Sequence, residues 1–295
     1  MKIGPTRTDK LSLVELPSPF PFEPGTVRLR VPEGGFSGEQ LKRLRAGSLE
    51  RPFMIDYGRT RSLFFDTTAV QSAMDLDDPS ALIAAYTRKM MAFLLFLPAP
   101  RHLLMIGLGG GSLAKFCHRH LPRTRISVVE ISSEVIALRE EFAIPANDER
   151  FEVIHDDGAA FLAKTHLTPD VILIDAFDAS GVAPSLVCSD FYKRASDCLA
   201  RNGLLVMNLS GQKSRYVTHI ETLRAVFPGT IRLVPVDGED NVLLFAVRGP
   251  ALAALPEFLR HRAAYLQHGM GLEFDRYLER LRAGEILSSA DRHQM

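Results

Sequence analysis

Cysteine is scarce in this 295-residue chain: Cys117, Cys188 and Cys198 are odd in number and widely spaced. Such spacing does not build a disulfide scaffold and fits a reducing compartment. Neither sign of charge is in surplus, with 35 basic against 35 acidic side chains. A protein that coats nucleic acid needs a basic excess to displace counterions, so nucleic acid is not an expected partner. A neutral total can still hide a local acidic pocket, which keeps a cationic small substrate open. Long apolar runs are missing too. The longest uncharged one, Met90 to Leu97, is far short of the roughly 20 residues a membrane helix needs. Met1 to Phe22 carries Lys2, Arg7 and Lys10 and has no apolar stretch of signal-peptide length. The expectation is a cytoplasmic protein with no membrane partner. Metal spacing is absent: no Cys/His cluster has zinc spacing, and His118 and His120, two apart on a helix, point in different directions. No Gly-x-Ser-x-Gly elbow surrounds Ser112, so it does not read as a nucleophile.

What is present is ordinary globular material, 46% hydrophobic and 24% charged, which excludes disorder and coiled coil. Pro17, Pro19, Pro21 and Pro24 crowd a stretch that cannot be helical and predicts an extended arm or surface connection. Pro52 to Asp66 holds two β-rich runs around Gly58, a hairpin in a small N-terminal β-unit. A helix is expected over Ala81 to Leu97, stopped by Pro98 and Pro100. Short Val/Ile/Leu runs then alternate with amphipathic ones: strands at 102–107, 125–130, 151–155, 171–175 and 203–209, and helices at 113–120, 133–142, 159–165, 190–200 and 214–227. Near-continuous apolar strands, each followed by a helix, are buried on both faces and predict a helix-covered parallel sheet. A closing antiparallel pair, 231–236 and 242–247, completes a seven-stranded, class I methyltransferase-like (Rossmann-like) α/β sheet. The boundaries drawn are 1–79 for the N-terminal arm and small β-domain, 80–249 for the nucleoside-binding catalytic domain and 250–295 for a helical tail.

Chemistry concentrates at the strand ends. Gly107-Leu-Gly-Gly-Gly-Ser112 lies between the first strand of the sheet and a helix, where glycines permit a sharp turn and close approach to a ligand. Gly107, Gly109 and Gly111 are candidate nucleoside contacts. The second strand ends in Glu130, where an acid can accept from both ribose hydroxyls. The third ends before Asp157-Gly158, placing a carboxylate for an adenine amino group. Those three strand ends together describe a nucleoside cradle with no pyrophosphate. The fourth ends at Asp175, with Asp178 three residues on, a pair suited to a cationic substrate in the crevice. An alkylamine with pKa near 10 is protonated at neutral pH, and freeing its lone pair costs about 4 kcal/mol, so a desolvated, fixed carboxylate would have to help.

These residues resemble the spermidine synthase (polyamine aminopropyltransferase) family from about Phe53 to Val247. In that resemblance Asp66-Thr-Thr-Ala-Val-Gln71 looks like the family's turn after the N-terminal hairpin, with Gln71 contacting the nucleoside. Glu130, Asp157 and Gly158 match its nucleoside site, Asp175 its proposed general base, Asp178 and Tyr86 its amine-holding residues, and Ser189-Asp-Phe-Tyr192 the start of the next helix. The implied reaction moves an aminopropyl group from decarboxylated S-adenosylmethionine to an amine such as putrescine. It implies no metal and no tightly bound cofactor, only an S-adenosyl nucleoside as co-substrate, and admits a homodimer.

The pattern departs from the family at several places. Gly110 stands where the family carries an Asp that holds the aminopropyl end, and the glycine is expected to leave room and remove repulsion toward a carboxylate. The family's Tyr-His-Glu reads Tyr86-Thr87-Arg88, its Asp-Ser-Ser/Thr-Asp-Pro reads Asp175-Ala-Phe-Asp178-Ala179, and its late Tyr-Pro is replaced by Val236-Asp237-Gly238. Asp237, Glu239 and Asp240 are candidates for replacement acidity, and Arg88 reads as a solvated helix face. Two further readings follow: an S-adenosylmethionine-dependent methyltransferase, or transferase of an aminocarboxypropyl group, on an unknown small acceptor; and a catalytically silent nucleoside-binding module.

Overall fold

Alternating apolar residues fold the N-terminal region into β1 (Leu11–Pro17), β2 (Thr26–Pro32), β3 (Phe53–Tyr57), β4 (Thr60–Phe64) and β5 (Val70–Asp75), an antiparallel sheet in that order. The computed structural model describes residues 11–21, 23–32, 36–49, 51–67, 69–178, 181–182, 184–186, 188–209, 213–227, 231–249, 258–283 and 285–287. Helix α1 (Gly38–Arg45) opens on a capping box between Ser37 and Gln40 and sends Leu44 into the core of this sheet beside Val27, Leu29 and Phe53. The proline-rich stretch is the connection between β1 and β2, paired strands whose register runs from Leu11↔Pro32 to Pro17↔Thr26. The arm is thus a hairpin with five strands in its sheet.

Helix α2 (Ala85–Met90) is shorter than the 81–97 helix expected. Asp78 and Pro79 form a local turn instead, with Asp78 accepting from the Ser80 and Ala81 amides. Met91–Leu95 continues as a 3-10 turn buried on every side. Then come β6 (His102–Ile106), α3 (Ser112–His120), β7 (Arg125–Glu130), α4 (Ser133–Ile136), β8 (Phe151–His155), α5 (Gly158–Lys164) and β9 (Val171–Ile174). Two-residue strands β10 (Phe177–Asp178) and β11 (Gly181–Val182) pair with each other, and α6 (Ser189–Cys198), β12 (Leu204–Leu209), α7 (Lys213–Val226), β13 (Ile231–Pro235) and β14 (Val242–Val247) follow. Helices α8 (Phe258–Met270) and α9 (Phe274–Ala283) and strand β15 (Glu285–Leu287) end the described chain; residues 251–257 of the expected tail helix lie outside the described residues. The helix expected over 133–142 is one turn, and Glu140 and Glu141 beyond it pair with Arg30 of β2.

The seven expected strands are all in the second sheet, and β15 adds an eighth: the order is β15-β13-β14-β12-β9-β6-β7-β8. β12, β9, β6, β7 and β8 are parallel; β14, β13 and β15 are antiparallel. Side-chain alternation sends Leu103 and Met105 of β6 to one face, with Phe116, Phe142 and Phe151, and Leu104 and Ile106 to the other, with Phe161, Ile172 and Tyr192. Both faces are therefore dry, as continuous apolar strands require.

Candidate active site

From β6 the chain crosses to β7 and β8 on one side and then returns to β9 on the other, so β6 and β9 flank the switch point of the sheet. Ligands of open α/β sheets bind outside the carboxyl ends of the strands at such a point. A cavity of about 500 Å³ opens there. Residues at the strand ends of the second sheet line it, including Gly107, Glu130, Asp157 and Asp175, and so do Gln71 and Ser72 of β5.

The glycine loop is fixed by geometry that a side chain would break. Gly107 has φ +96°, and a Cβ there would lie 2.1 Å from the Asp175 carbonyl oxygen. That close approach joins the ends of β6 and β9, and the Asp175 amide donates to the Ile106 carbonyl at 3.0 Å. Gly109, with φ +51°, faces the cavity. Gly110 and Gly111 do not line it. A Cβ on Gly111 would meet Ile144 at 2.6 Å, and one on Gly110 would lie 2.7 Å from the Ser72 hydroxyl and 2.9 Å from the Phe142 ring. The expectation that Gly110 leaves room is corrected: Ser72 and Phe142 close on it, and an Asp there would have to displace them.

Glu130 is 8% exposed and spans the loop. One carboxylate oxygen accepts from the Leu108 amide at 2.9 Å and the other from the Ser132 amide at 2.8 Å. A carboxylate has about four acceptor sites, so each oxygen keeps capacity for a ligand hydroxyl. Asp157 uses one oxygen to cap α5 through the Ala160 amide at 2.8 Å. Gly158 packs on Ile106, where a Cβ would come within 2.6 Å of the isoleucine side chain.

Asp175 is gripped on both oxygens. Tyr86 donates its hydroxyl to Oδ2 at 3.1 Å, and the Asn208 side-chain amide donates to Oδ1 at 3.0 Å. Asn208 is buried, and its own carbonyl accepts from the Asn241 side-chain amide at 2.9 Å. Burial pushes the Asp175 carboxyl above its ordinary value, and the hydrogen bonds from Asn208 and Tyr86 pull it down. Burial and the adjacent Asp175 carboxylate hold the Tyr86 phenol well above its usual range, so it stays a donor. The arrangement is a partly desolvated carboxylate of fixed orientation at the wall of a cavity.

Of the residues singled out from sequence, Gln71, Tyr86, Gly107, Gly109, Glu130, Asp157, Gly158 and Asp175 converge on this one cavity. The Asp178 side chain and Ala179 lie outside the described residues. Replacement acidity from the closing hairpin is corrected for two of its three residues. Asp237 pairs with Lys89 at 3.5 Å and Arg280 at 2.6 Å, and Glu239 accepts from the Ala85 and Tyr86 amides at 2.8 and 3.0 Å, capping α2. Arg88 is no free surface cation either, since its guanidinium donates to the Leu82 and Ile83 carbonyls. Asn208, Asn241 and Ser72 were not anticipated as site residues. For Asn208 a signal existed: it is the one polar residue in Leu204–Leu209, a strand otherwise apolar enough to be buried on both faces.

Among the described residues no group of His, Cys, Asp and Glu has the arrangement of a metal site, and no helix is long and apolar enough to cross a membrane. A family profile described as the spermine/spermidine synthase domain matches residues 83–225. The polyamine aminopropyltransferase of Neisseria meningitidis is 38% identical over 228 residues, covering 77% of this chain and 87% of that protein. The polyamine aminopropyltransferase of Chromobacterium violaceum is 38% identical over 226 residues, covering 76% and 87%. The structure of spermidine synthase from Thermotoga maritima superposes with a TM-score of 0.54 at 17% identity, covering 75% of this chain and 84% of that one, a likeness of fold. Glycine loop, strand-end acids and sequence identity over most of both chains agree: this chain is a transferase belonging to the polyamine aminopropyltransferase, or spermidine synthase, family.

Proposed function

We propose that the protein transfers an aminopropyl group from decarboxylated S-adenosylmethionine to a small amine such as putrescine. The observation that carries this reading is the Asp175 carboxylate, held by Tyr86 and Asn208 at the wall of the cavity that Glu130 and Asp157 also line. Glu130 would accept the ribose hydroxyls and Asp157 the adenine amino group. Gln71, Gly107, Gly109 and Gly158 would shape the nucleoside wall, and Gly111 would fix the loop from behind. Tyr86 and Asp178 would hold the acceptor.

The chemistry needs a neutral amine and alignment. The amine nitrogen's lone pair attacks the propyl carbon bonded to the sulfonium; the C–S bond breaks, its electron pair stays on sulfur, and methylthioadenosine leaves as a neutral thioether. The proton lost from nitrogen goes to Asp175. Desolvation raises the basicity of that carboxylate, which narrows the gap to an amine with pKa near 10. Fixed geometry supplies the rest by holding nitrogen, carbon and sulfur in line. In this reading the domain drawn at residues 1–79 contributes Gln71, the domain at residues 80–249 contributes the reacting groups, and helices α8 and α9 of the tail at residues 250–295 pack into the main core.

The test is product analysis with putrescine and each donor. The expected result is methylthioadenosine released only when the amine and the decarboxylated donor are both present, with Asp175→Asn slower by roughly a hundredfold or more. Turnover of S-adenosylmethionine to S-adenosylhomocysteine under the same conditions would overturn the assignment in favour of methyl transfer.

A further inference from the structure

The turn between β13 and β14 touches the Asp175 assembly twice, from two residues only two positions apart. Asn241 donates to the Asn208 carbonyl at 2.9 Å, which leaves the other end of the Asn208 amide, its NH2, to donate to Asp175 Oδ1 at 3.0 Å. An amide free to rotate could present its carbonyl to the carboxylate instead, and Asn241 forbids that arrangement. Glu239 acts on the other side. It accepts from the Ala85 and Tyr86 amides, the first turn of a helix whose N-cap, Ala84, has no side chain able to cap it. That places the backbone from which the Tyr86 hydroxyl reaches Oδ2 at 3.1 Å. Lys89, on the same helix, donates to the Pro235 carbonyl at 3.1 Å at the end of β13 and ties the two elements together again.

We propose that Asn241 and Glu239 are positioning residues that set the orientation of the Asp175 carboxylate from both sides, Asn241 through Asn208 and Glu239 through helix α2 and Tyr86. This rests on the reading of Asp175 as the proton acceptor. Neither residue lines the cavity, so neither is a catalytic residue. The consequence is chemical as well as steric, because Asn208 and Tyr86 are the groups that offset the effect of burial on Asp175. Loosening either makes the carboxyl harder to ionise, and the acidic limb of activity moves to higher pH. Among the described residues the polar groups facing Asp175 are Tyr86 from α2 and Asn208 from β12, with the Glu239 carboxylate behind Tyr86; Glu130 and Asp157 line the same cavity.

The experiment compares Asn241→Ala, Asn241→Ser, Glu239→Gln and Asp175→Asn in the full chain. Measured are kcat, the pH profile of kcat/KM with the decarboxylated donor and putrescine, and calorimetric affinity for methylthioadenosine. The turn variants are expected to lose roughly three- to tenfold in kcat, with the acidic limb shifted upward and methylthioadenosine affinity within about twofold of wild type. Asn241→Ala and Asn241→Ser carry the test alone if Glu239→Gln fails to fold. A wild-type kcat and an unshifted limb in the Asn241 variants would overturn the proposal, as would losses matched by lost methylthioadenosine affinity. Asp175→Asn separates the layers. If it retains full activity, the reading of Asp175 falls and this proposal with it. If it is inactive while the turn variants behave as wild type, the positioning role alone falls.

Discussion

Replacing Gly107 by alanine should damage this protein far more than the same change at Gly109, two residues away. At Gly107 the new methyl would sit 2.1 Å from the Asp175 carbonyl oxygen and 2.8 Å from its carbonyl carbon, and φ is +96°. Both clashing atoms are backbone, so no rotamer relieves them. A left-handed backbone costs an L residue about 1–2 kcal/mol, and forcing a methyl into packed surroundings adds about 1–3 kcal/mol. The expected total is about 2–5 kcal/mol. At Gly109 φ is +51° and the nearest atom to a Cβ is 3.7 Å away, an ordinary contact, so only the conformational cost of about 1 kcal/mol remains. Urea unfolding followed by circular dichroism on both variants gives the two values. Gly107→Ala should also lose activity beyond its stability loss, because relief of the clash moves the end of β9 that carries Asp175. Equal destabilisation of the two variants, within about 0.5 kcal/mol, would refute the close packing of β6 against β9.

Two other perturbations have definite signs. Burial lowers the Lys115 ammonium from the ordinary lysine value of 10.5 to about 7. Between those two values the unfolded chain binds a proton that the folded chain does not, so this group makes stability rise with pH by up to about 1.4 kcal/mol per unit. Lys115→Met should remove that slope between about pH 7 and pH 8.5 in denaturant titrations, and a variant as steep as wild type would show that Lys115 titrates normally. Asp56 holds the buried Arg61 guanidinium through two 2.7 Å hydrogen bonds. Asp56→Ala leaves that charge without its carboxylate and should cost about 3–5 kcal/mol, little affected by salt; a loss below about 1 kcal/mol would mean that Arg61 finds another partner.

The strands are the legible part of this sequence, for a physical reason. A strand buried on both faces must be apolar at nearly every position, and runs such as Val171–Ile174 and Val242–Val247 end where their polar neighbours begin. The acids that terminate them, Glu130 and Asp175, inherit their place in the crevice from the topology. Helices are less legible where tertiary contacts decide them. Helix α2 starts at Ala85 because Glu239, remote in sequence, accepts its first amides, and no local residue announces that. The segment after Ile136 leaves the helix where Glu140 and Glu141 meet Arg30, which belongs to the other sheet. Gly110 shows the limit of reading a substitution as a vacancy: a missing side chain leaves space only if its neighbours stay away, and Ser72 and Phe142 do not.

Beside the packing of Met54, Leu63 and Met74 into the main core, three arginines tie the five-stranded sheet to the rest of the chain. Arg30 and Arg61 of the five-stranded sheet reach Glu141, Arg30 also reaches Glu140, and Arg51, just ahead of β3, reaches Glu134 at 3.1 Å. The same two parts of the chain both line the cavity, Gln71 and Ser72 from one and Glu130, Asp157 and Asp175 from the other. Any ligand that fills it therefore touches both and acts as a latch between them. By mass action a ligand at a hundred times its Kd adds about 2.7 kcal/mol to the folded state. Here that increment falls across the seam, so the occupied protein should melt as one unit. A chain cut near residue 79 would keep the carboxylates and lose the latch.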